Sequence, residues 1–258
     1  MDEDKIIKKI IEYCNEHGLD FNTLPLLINE PKLVPMMRGI GFEYVIQNKL
    51  NEILSYNSKY EIIKPNINAQ HTLPDIDILI KDNDNGKSYK LECKLAKNNS
   101  FNLKKENCKI KVMRSRTLGD KMIEETAKKE KLSIDYISAH KDSYLFNKFD
   151  FVVTNLRNAF YRTTEDGKYK FNPSIEEVDY LKDYFKLKSF DEINKKLLKT
   201  HFFINSKDLI AKDNDLICGR KNCPKKNECE FVPNYPLFSF NKNEAKWKDL
   251  NLIFENLE

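Results

Sequence analysis

Several things are scarce in this 258-residue chain, and each scarcity narrows what it can be. No apolar run approaches the roughly eighteen residues a membrane helix needs, so no helical membrane span is expected. The start, Met1-Asp2-Glu3-Asp4-Lys5, lacks the basic opening and apolar centre of a secretory leader, which predicts a cytoplasmic protein. No internal repeat and no low-complexity linker interrupts the chain, and its length allows one large core with a small appendage. We place that division at 1–205 and 206–258. Cys-x-x-Cys pairs are missing, which argues against the usual zinc knuckle. Charge of one sign is also scarce: 44 Lys and Arg face 40 Asp and Glu, for a net charge of +4. That balance permits nucleic-acid binding without demanding it. Abundant Lys, Asn and Ile are also what an AT-rich genome would encode.

What is present concentrates between residues 74 and 94. Pro74-Asp75-Ile76-Asp77-Ile78-Leu79-Ile80 is followed by Asn85-Gly86 and then Tyr89-Lys90-Leu91-Glu92-Cys93-Lys94. Asn-Gly between two apolar runs is the strongest short signal for a β-hairpin. Side chains alternate faces along a strand, so Asp75 and Asp77 share one face above Ile76, Ile78 and Ile80. On the second strand Glu92 and Lys94 share a face and Cys93 points away. If the polar faces coincide, two or three carboxylates and one ammonium converge. Hard Mg²⁺ takes oxygen ligands and usually only one or two protein carboxylates, leaving room for water and a phosphate oxygen. Asp75 and Glu92 are the expected ligands, with Asp77 an equal alternative to Asp75. Lys94 is expected to position water or offset charge in the transition state. The plain alternative is a surface hairpin with solvated charges.

Pro74-Asp75 and Glu92-Cys93-Lys94, joined by a hairpin of plausible length, resemble the PD-(D/E)xK nuclease superfamily, and within it the type II restriction endonucleases. The resemblance covers roughly residues 36 to 160. It implies an α/β core with a mixed sheet and Mg²⁺-dependent hydrolysis of duplex DNA to 5′-phosphates. It further implies a homodimer on a palindromic site and a separately encoded DNA methyltransferase. Members often place a helix before the first metal-binding strand, with a Glu near its start that joins the metal. Glu43, in Arg38-Gly39-Ile40-Gly41-Phe42-Glu43, is the matching position.

Downstream of the hairpin, Lys97, Lys104, Lys105, Lys109, Lys111, Arg114 and Arg116 are opposed only by Glu106. Such a stretch suits phosphate contacts, and Arg114 and Arg116 could read guanine edges. Asn155, Arg157 and Asn158 form a second candidate for base readout, since amides suit adenine. Cys218, Cys223 and Cys229 fall within twelve residues of a polar segment rich in Lys. Three local thiols suggest structural zinc, with His201 or Cys108 expected as the fourth ligand. An iron–sulfur cluster ranks below zinc, and a disulfide lowest in a cytoplasmic protein.

Periodicity predicts helices over 3–17, 37–55, 117–131, 174–187 and 190–199, with residues 19–35 as loop. Strands are expected at 60–63, in the hairpin, at 149–154 and at 201–205. Strands interleaved with helices predict an α/β fold: a mixed central sheet flanked by helices, restriction-endonuclease-like, with a small Cys-containing C-terminal segment. Three function classes stay open. The first is a sequence-specific endonuclease. The second is a structure-specific or repair nuclease of the same superfamily, although the Gln-x-x-x-Tyr helix of the exonuclease type is missing after Lys94. The third is a non-catalytic, zinc-containing DNA-binding protein.

Overall fold

A computed structural model describes residues 2–54, 59–65, 76–165, 167–212, 214, 216–241 and 246–257. In chain order the elements are α1 (Glu3–Glu16), α2 (Leu24–Ile28), α3 (Leu33–Ile53), β1 (Tyr60–Ile63), β2 (Ile78–Asp82), β3 (Ser88–Leu95) and β4 (Asn107–Lys109). They continue with α4 (Asp120–Glu130), α5 (Ile134–Ala139), β5 (Phe151–Asn155), β6 (Tyr161–Thr163), β7 (Tyr169–Phe171), α6 (Ile175–Phe185) and α7 (Phe190–Lys199). The last are β8 (Phe202–Asn205), β9 (Leu237–Ser239) and β10 (Lys248–Asp249).

Six strands form one mixed sheet in the order β1-β2-β3-β5-β8-β10. Only β3 and β5 run parallel, with Lys94 beside Thr154. A parallel neighbour requires a crossover, and here the crossover carries β4, α4 and α5. All five residues of β5 are buried, as a central strand covered on both faces demands. One face packs on α3, where Phe42, Ile46 and Leu50 meet Ile78, Ile80, Leu91, Cys93, Val153 and Phe203. Each such fully buried apolar side chain is worth roughly 1.5–3 kcal/mol. The other face packs Val152 and Ile204 against Leu181 of α6 and Ile193 and Leu197 of α7. Both helices start with a full capping box, Ser174 with Glu177 and Ser189 with Glu192. The α/β class with a mixed central sheet is therefore the observed one, and a Cys cluster lies near the C-terminus.

The hairpin turn is built as its residues suggest. Asp82 accepts from the Asp84 amide at 2.9 Å, Asn85 accepts from the Lys87 amide at 2.8 Å, and Gly86 takes a φ of +73°. Only glycine adopts that backbone without strain.

Some boundaries differ from expectation. α3 begins four residues before the expected Met37, because Pro35 sits in its first turn, where the missing amide hydrogen has no helical partner to lose. The helix expected over 117–131 stops at Lys131, which takes a left-handed φ of +56°, and a separate α5 follows from a Ser133 cap. The 19–35 loop contains the short α2. The C-terminal segment is woven into the rest: β9 pairs with β4, and β10 extends the central sheet beside β8. α1 buries Cys14 but leaves Ile6, Ile7 and Ile11 more than a third exposed. Among the described residues no helix is long and apolar enough to cross a membrane.

Candidate functional site

Two clusters of chemistry-bearing side chains stand out. The first sits at the end of the hairpin. Continuing the pairing of Ile78 with Leu91 brings Asp77 opposite Glu92. Asp77 is held there by its Oδ2, which accepts from the Cys93 amide at 2.7 Å. Glu92 is only 3 % exposed, and its Oε1 meets Lys94 Nζ at 2.6 Å. Glu43 reaches the same region from α3 and pairs with Lys64 just beyond β1. Asp75, the other expected carboxylate, lies outside the described residues.

The electrostatics of this cluster are strained in one direction. Burial, then the Glu92 carboxylate and more distantly Glu43, push Asp77 up to about 8, against the pull of Lys94 and of the Cys93 amide. Burial works against the Lys94 ammonium, yet Glu92, Tyr144 and Asp77 outweigh it and hold its pKa well above the ordinary lysine value. A buried Glu92 with Asp77 and Lys94 half-buried beside it is costly unless something uses the group. Tyr144, which the sequence did not single out, joins them: its ring lies 5.9 Å from Lys94 Nζ. Burial and the adjacent Glu92 raise its phenol well above the ordinary tyrosine value.

The second cluster is His140, Cys218, Cys223 and Cys229, whose ligand atoms all lie within 4.8 Å of one another. Cys229 Sγ is 3.6 Å and Cys218 Sγ 3.9 Å from His140 Nε2. A tetrahedral ion with bonds of 2.0–2.3 Å would need ligand separations of about 3.3–3.8 Å, so a small contraction suffices. This set could hold a metal such as zinc. Burial, with Arg220 and Lys226 nearby, lowers His140 to about 4, which keeps its ring neutral and able to donate a lone pair. Burial pushes the Cys229 thiol up to about 12, the penalty on a bare thiolate that a bound cation would remove. The ring of His140 stacks on Phe231 at 4.3 Å, and Cys223 and Cys229 pack with Tyr136, Ile137 and Leu145 in a small core of their own. Among the described residues this is the one group of three or more His, Cys, Asp and Glu that meets that spacing. The carboxylates of the first cluster are more widely spread.

The fourth member is thus His140, and neither expected candidate joins the cysteines. His201 is buried just before β8, its ring 6.0 Å from Phe42. Cys108 is fully buried in the main core on β4. His140 lies 78 residues before Cys218, at the end of a short helix, and no local spacing announces it.

The expected DNA-facing residues divide. Lys97, Lys104, Lys105, Lys111 and Arg116 are exposed. Arg114 is half-buried, donating from Nε to the Ser143 carbonyl at 2.9 Å with its guanidinium 4.9 Å from the Tyr144 ring centre. Asn155 is a correction: it is 6 % exposed, its amide donates to the Leu197 and Thr200 carbonyls, and its Oδ1 caps the Arg157 amide. It ties β5 to α7 and has no free edge for a base. Arg157 donates to Asn194 and Tyr161 and stacks over Phe171. Asn158 bonds the Ala96 carbonyl and Arg38.

No family model, no curated protein and no solved structure matches this chain.

Proposed function

We propose that the protein is a Mg²⁺-dependent, sequence-specific endonuclease of the PD-(D/E)xK type that acts on duplex DNA as a type II restriction enzyme. The observation that carries this reading is the convergence of Asp77, Glu92 and Lys94 at the end of one hairpin, with Glu92 and Lys94 in a 2.6 Å ion pair. Folding alone has no use for Asp77 set against the buried Glu92, where desolvation and then that carboxylate push Asp77 up to about 8. A divalent cation would relieve that repulsion, and Mg²⁺ needs only one or two protein carboxylates. Asp77 and Glu92 would hold it, with Glu43 at the margin and Asp75 open as a further ligand. Bound there, Mg²⁺ supplies Lewis-acid polarisation of a phosphoryl oxygen and an acidified water.

The chain's own residues supply the rest. Lys94, kept charged by Glu92, can orient the attacking water or meet negative charge on the phosphoryl group. The exposed Lys97, Lys104, Lys105, Lys111 and Arg116 offer backbone contacts along the same segment. Zinc is the metal we assign to the second cluster, because one imidazole with three thiolates is a common closed structural set, whereas iron–sulfur clusters generally take four cysteines. Cutting both strands symmetrically is simplest for a homodimer, and the host would need a separate methyltransferase.

The test is cleavage of phage DNA by purified protein with Mg²⁺ or with EDTA. Discrete fragments that vanish with EDTA are expected. Asp77→Asn and Lys94→Ala should each abolish them while gel retardation survives. Turnover retained in either variant removes that residue from the chemistry, and Asp75→Ala decides whether Asp75 shares the metal.

A further inference from the structure

A short loop joins the two clusters. His140 ends α5, and Ser143 donates back to its carbonyl at 2.8 Å. From the cysteine side comes Arg220, two residues past Cys218. Its guanidinium pairs with Asp142 and donates to Ser143 Oγ at 3.1 Å. Asn234 closes the ring, donating to Asp142 Oδ2 at 2.8 Å and accepting from Ser143 Oγ at 2.6 Å. The loop then fixes the catalytic side. The Asp142 carbonyl accepts the Arg114 amide at 3.0 Å, and the Ser143 carbonyl accepts Arg114 Nε at 2.9 Å. Tyr144, the next residue, lies between Arg114 and Lys94 and has Phe149 edge-on at 5.5 Å. Its carbonyl accepts the Val232 amide at 2.9 Å, three residues past Cys229.

We propose that the His140/Cys218/Cys223/Cys229 centre is a positioning device: by clamping residues 140–145 between two metal-bound segments, it fixes Tyr144 and Arg114 against Glu92 and Lys94. The geometric part of this inference stands on the contacts above, and its catalytic consequence rests on the nuclease reading. Without the metal, the four ligands in their small core no longer hold the Arg220 turn. The Asp142–Arg220 pair is only partly buried, and such pairs contribute little when their ends are not held by something else. Tyr144 is therefore a positioning residue, acting through the carboxylate and lysine beside it. A cavity of about 770 Å³, lined by His140, Cys218, Cys229 and Arg220, opens beside the centre, so a chelator can reach it.

The experiment uses the full chain carrying 3-fluorotyrosine at Tyr144, with Tyr60 on β1 as the control position. About one zinc per chain is expected, lost in His140→Ala and Cys223→Ser and retained in His140→Cys. Chelation should shift or broaden the Tyr144 fluorine signal and leave that of Tyr60 unchanged. Asp142→Ala should keep its zinc and still move the Tyr144 signal; Asp142→Asn serves if the alanine variant is poorly folded. In these zinc-loaded Asp142 variants cleavage should fall in kcat by about 10²-fold with KM little changed, the scale of a roughly 1 Å misplacement. A Tyr144 signal indifferent to zinc removal, or a folded wild-type protein that binds no zinc, overturns the proposal. A zinc-dependent Tyr144 signal in a protein that cuts no DNA upholds the clamp and removes the nuclease reading instead.

Discussion

The two clusters are built in opposite ways. Asp77, Glu92 and Lys94 come from adjacent strands of one hairpin, whereas His140 is 78 and 89 residues from the cysteines it meets. The first is created by strand register, which backbone hydrogen bonds hold whether or not a ligand is present. The second is created by closing long loops. Its local core is small, so a bound ion would have to offset much of the closure entropy. The hairpin cluster should therefore persist without metal and the cysteine cluster should not.

The largest effect expected from that contrast is in the ion pair. Lys94→Ala leaves Glu92 buried without its partner, and breaking a buried pair costs about 3–5 kcal/mol. For a chain of this size that corresponds to a fall in Tm of roughly 10 °C. Joint replacement with Glu92→Gln and Lys94→Met should restore most of the melting temperature and none of the cleavage. A Lys94→Ala protein as stable as wild type would mean that the pair is solvated and the hairpin cluster is an ordinary surface.

Next in size is metal removal. Anything bound only by the folded state stabilises by RT ln(1 + [L]/Kd), about 4 kcal/mol at a thousandfold excess over Kd. Chelation should lower thermal stability by that order. Amide exchange should accelerate around α5 and residues 216–231 and stay slow in β2, β3 and β5. Uniform acceleration across both regions would erase the distinction between register-built and metal-built sites.

The same contrast explains what could be read from the chain. The hairpin was legible because alternation, Asn85-Gly86 and the Glu92-Cys93-Lys94 spacing are local, and local geometry follows from local chemistry. The sheet strands at 60–63, 151–155 and 202–205 were legible for a similar reason, as short apolar runs. His140 was invisible, and so was the pairing of β9 with β4, because both depend on chain segments that meet only after the crossover folds. His201 was misplaced by proximity in sequence: it lies nearer the cysteines along the chain yet belongs to the α3 face of the sheet. Asn155 was misassigned because an amide that caps a turn looks, in sequence, like one that reads a base.

His201 gives the next prediction. Burial, with Lys49 nearby, lowers it to about 4, below the ordinary histidine value of 6.5. The folded state therefore keeps it neutral while the unfolded chain takes up a proton as pH falls below 6.5. Its contribution to stability is intact above 6.5 and is lost progressively down to about pH 4, by roughly 3 kcal/mol in all. His140 shares the window in the zinc-free protein. Denaturant melts of zinc-loaded wild type and His201→Gln across pH 7.5 to 4 should thus converge toward acid pH. Parallel curves would show that His201 is solvated at the α3 face.

The smallest effect separates the exposed basic stretch from both clusters. Lys104 and Lys105 sit on a single-turn helix, Leu103–Lys105, with both side chains exposed. Replacing both with Ala should leave Tm within about 0.5 kcal/mol equivalent of wild type, as surface substitutions usually do. If they contact phosphates, each replacement removes about one counterion-release event. The slope of log K for DNA against log salt should then fall by about 2, with the cleavage pattern unchanged. An altered pattern would make them specificity residues, and an unchanged slope would move the DNA to another face. Asn155→Ala supplies the counter-case: it should destabilise the β5–α7 junction by about 1–3 kcal/mol and leave the salt slope alone, because its amide is spent on carbonyls inside the fold.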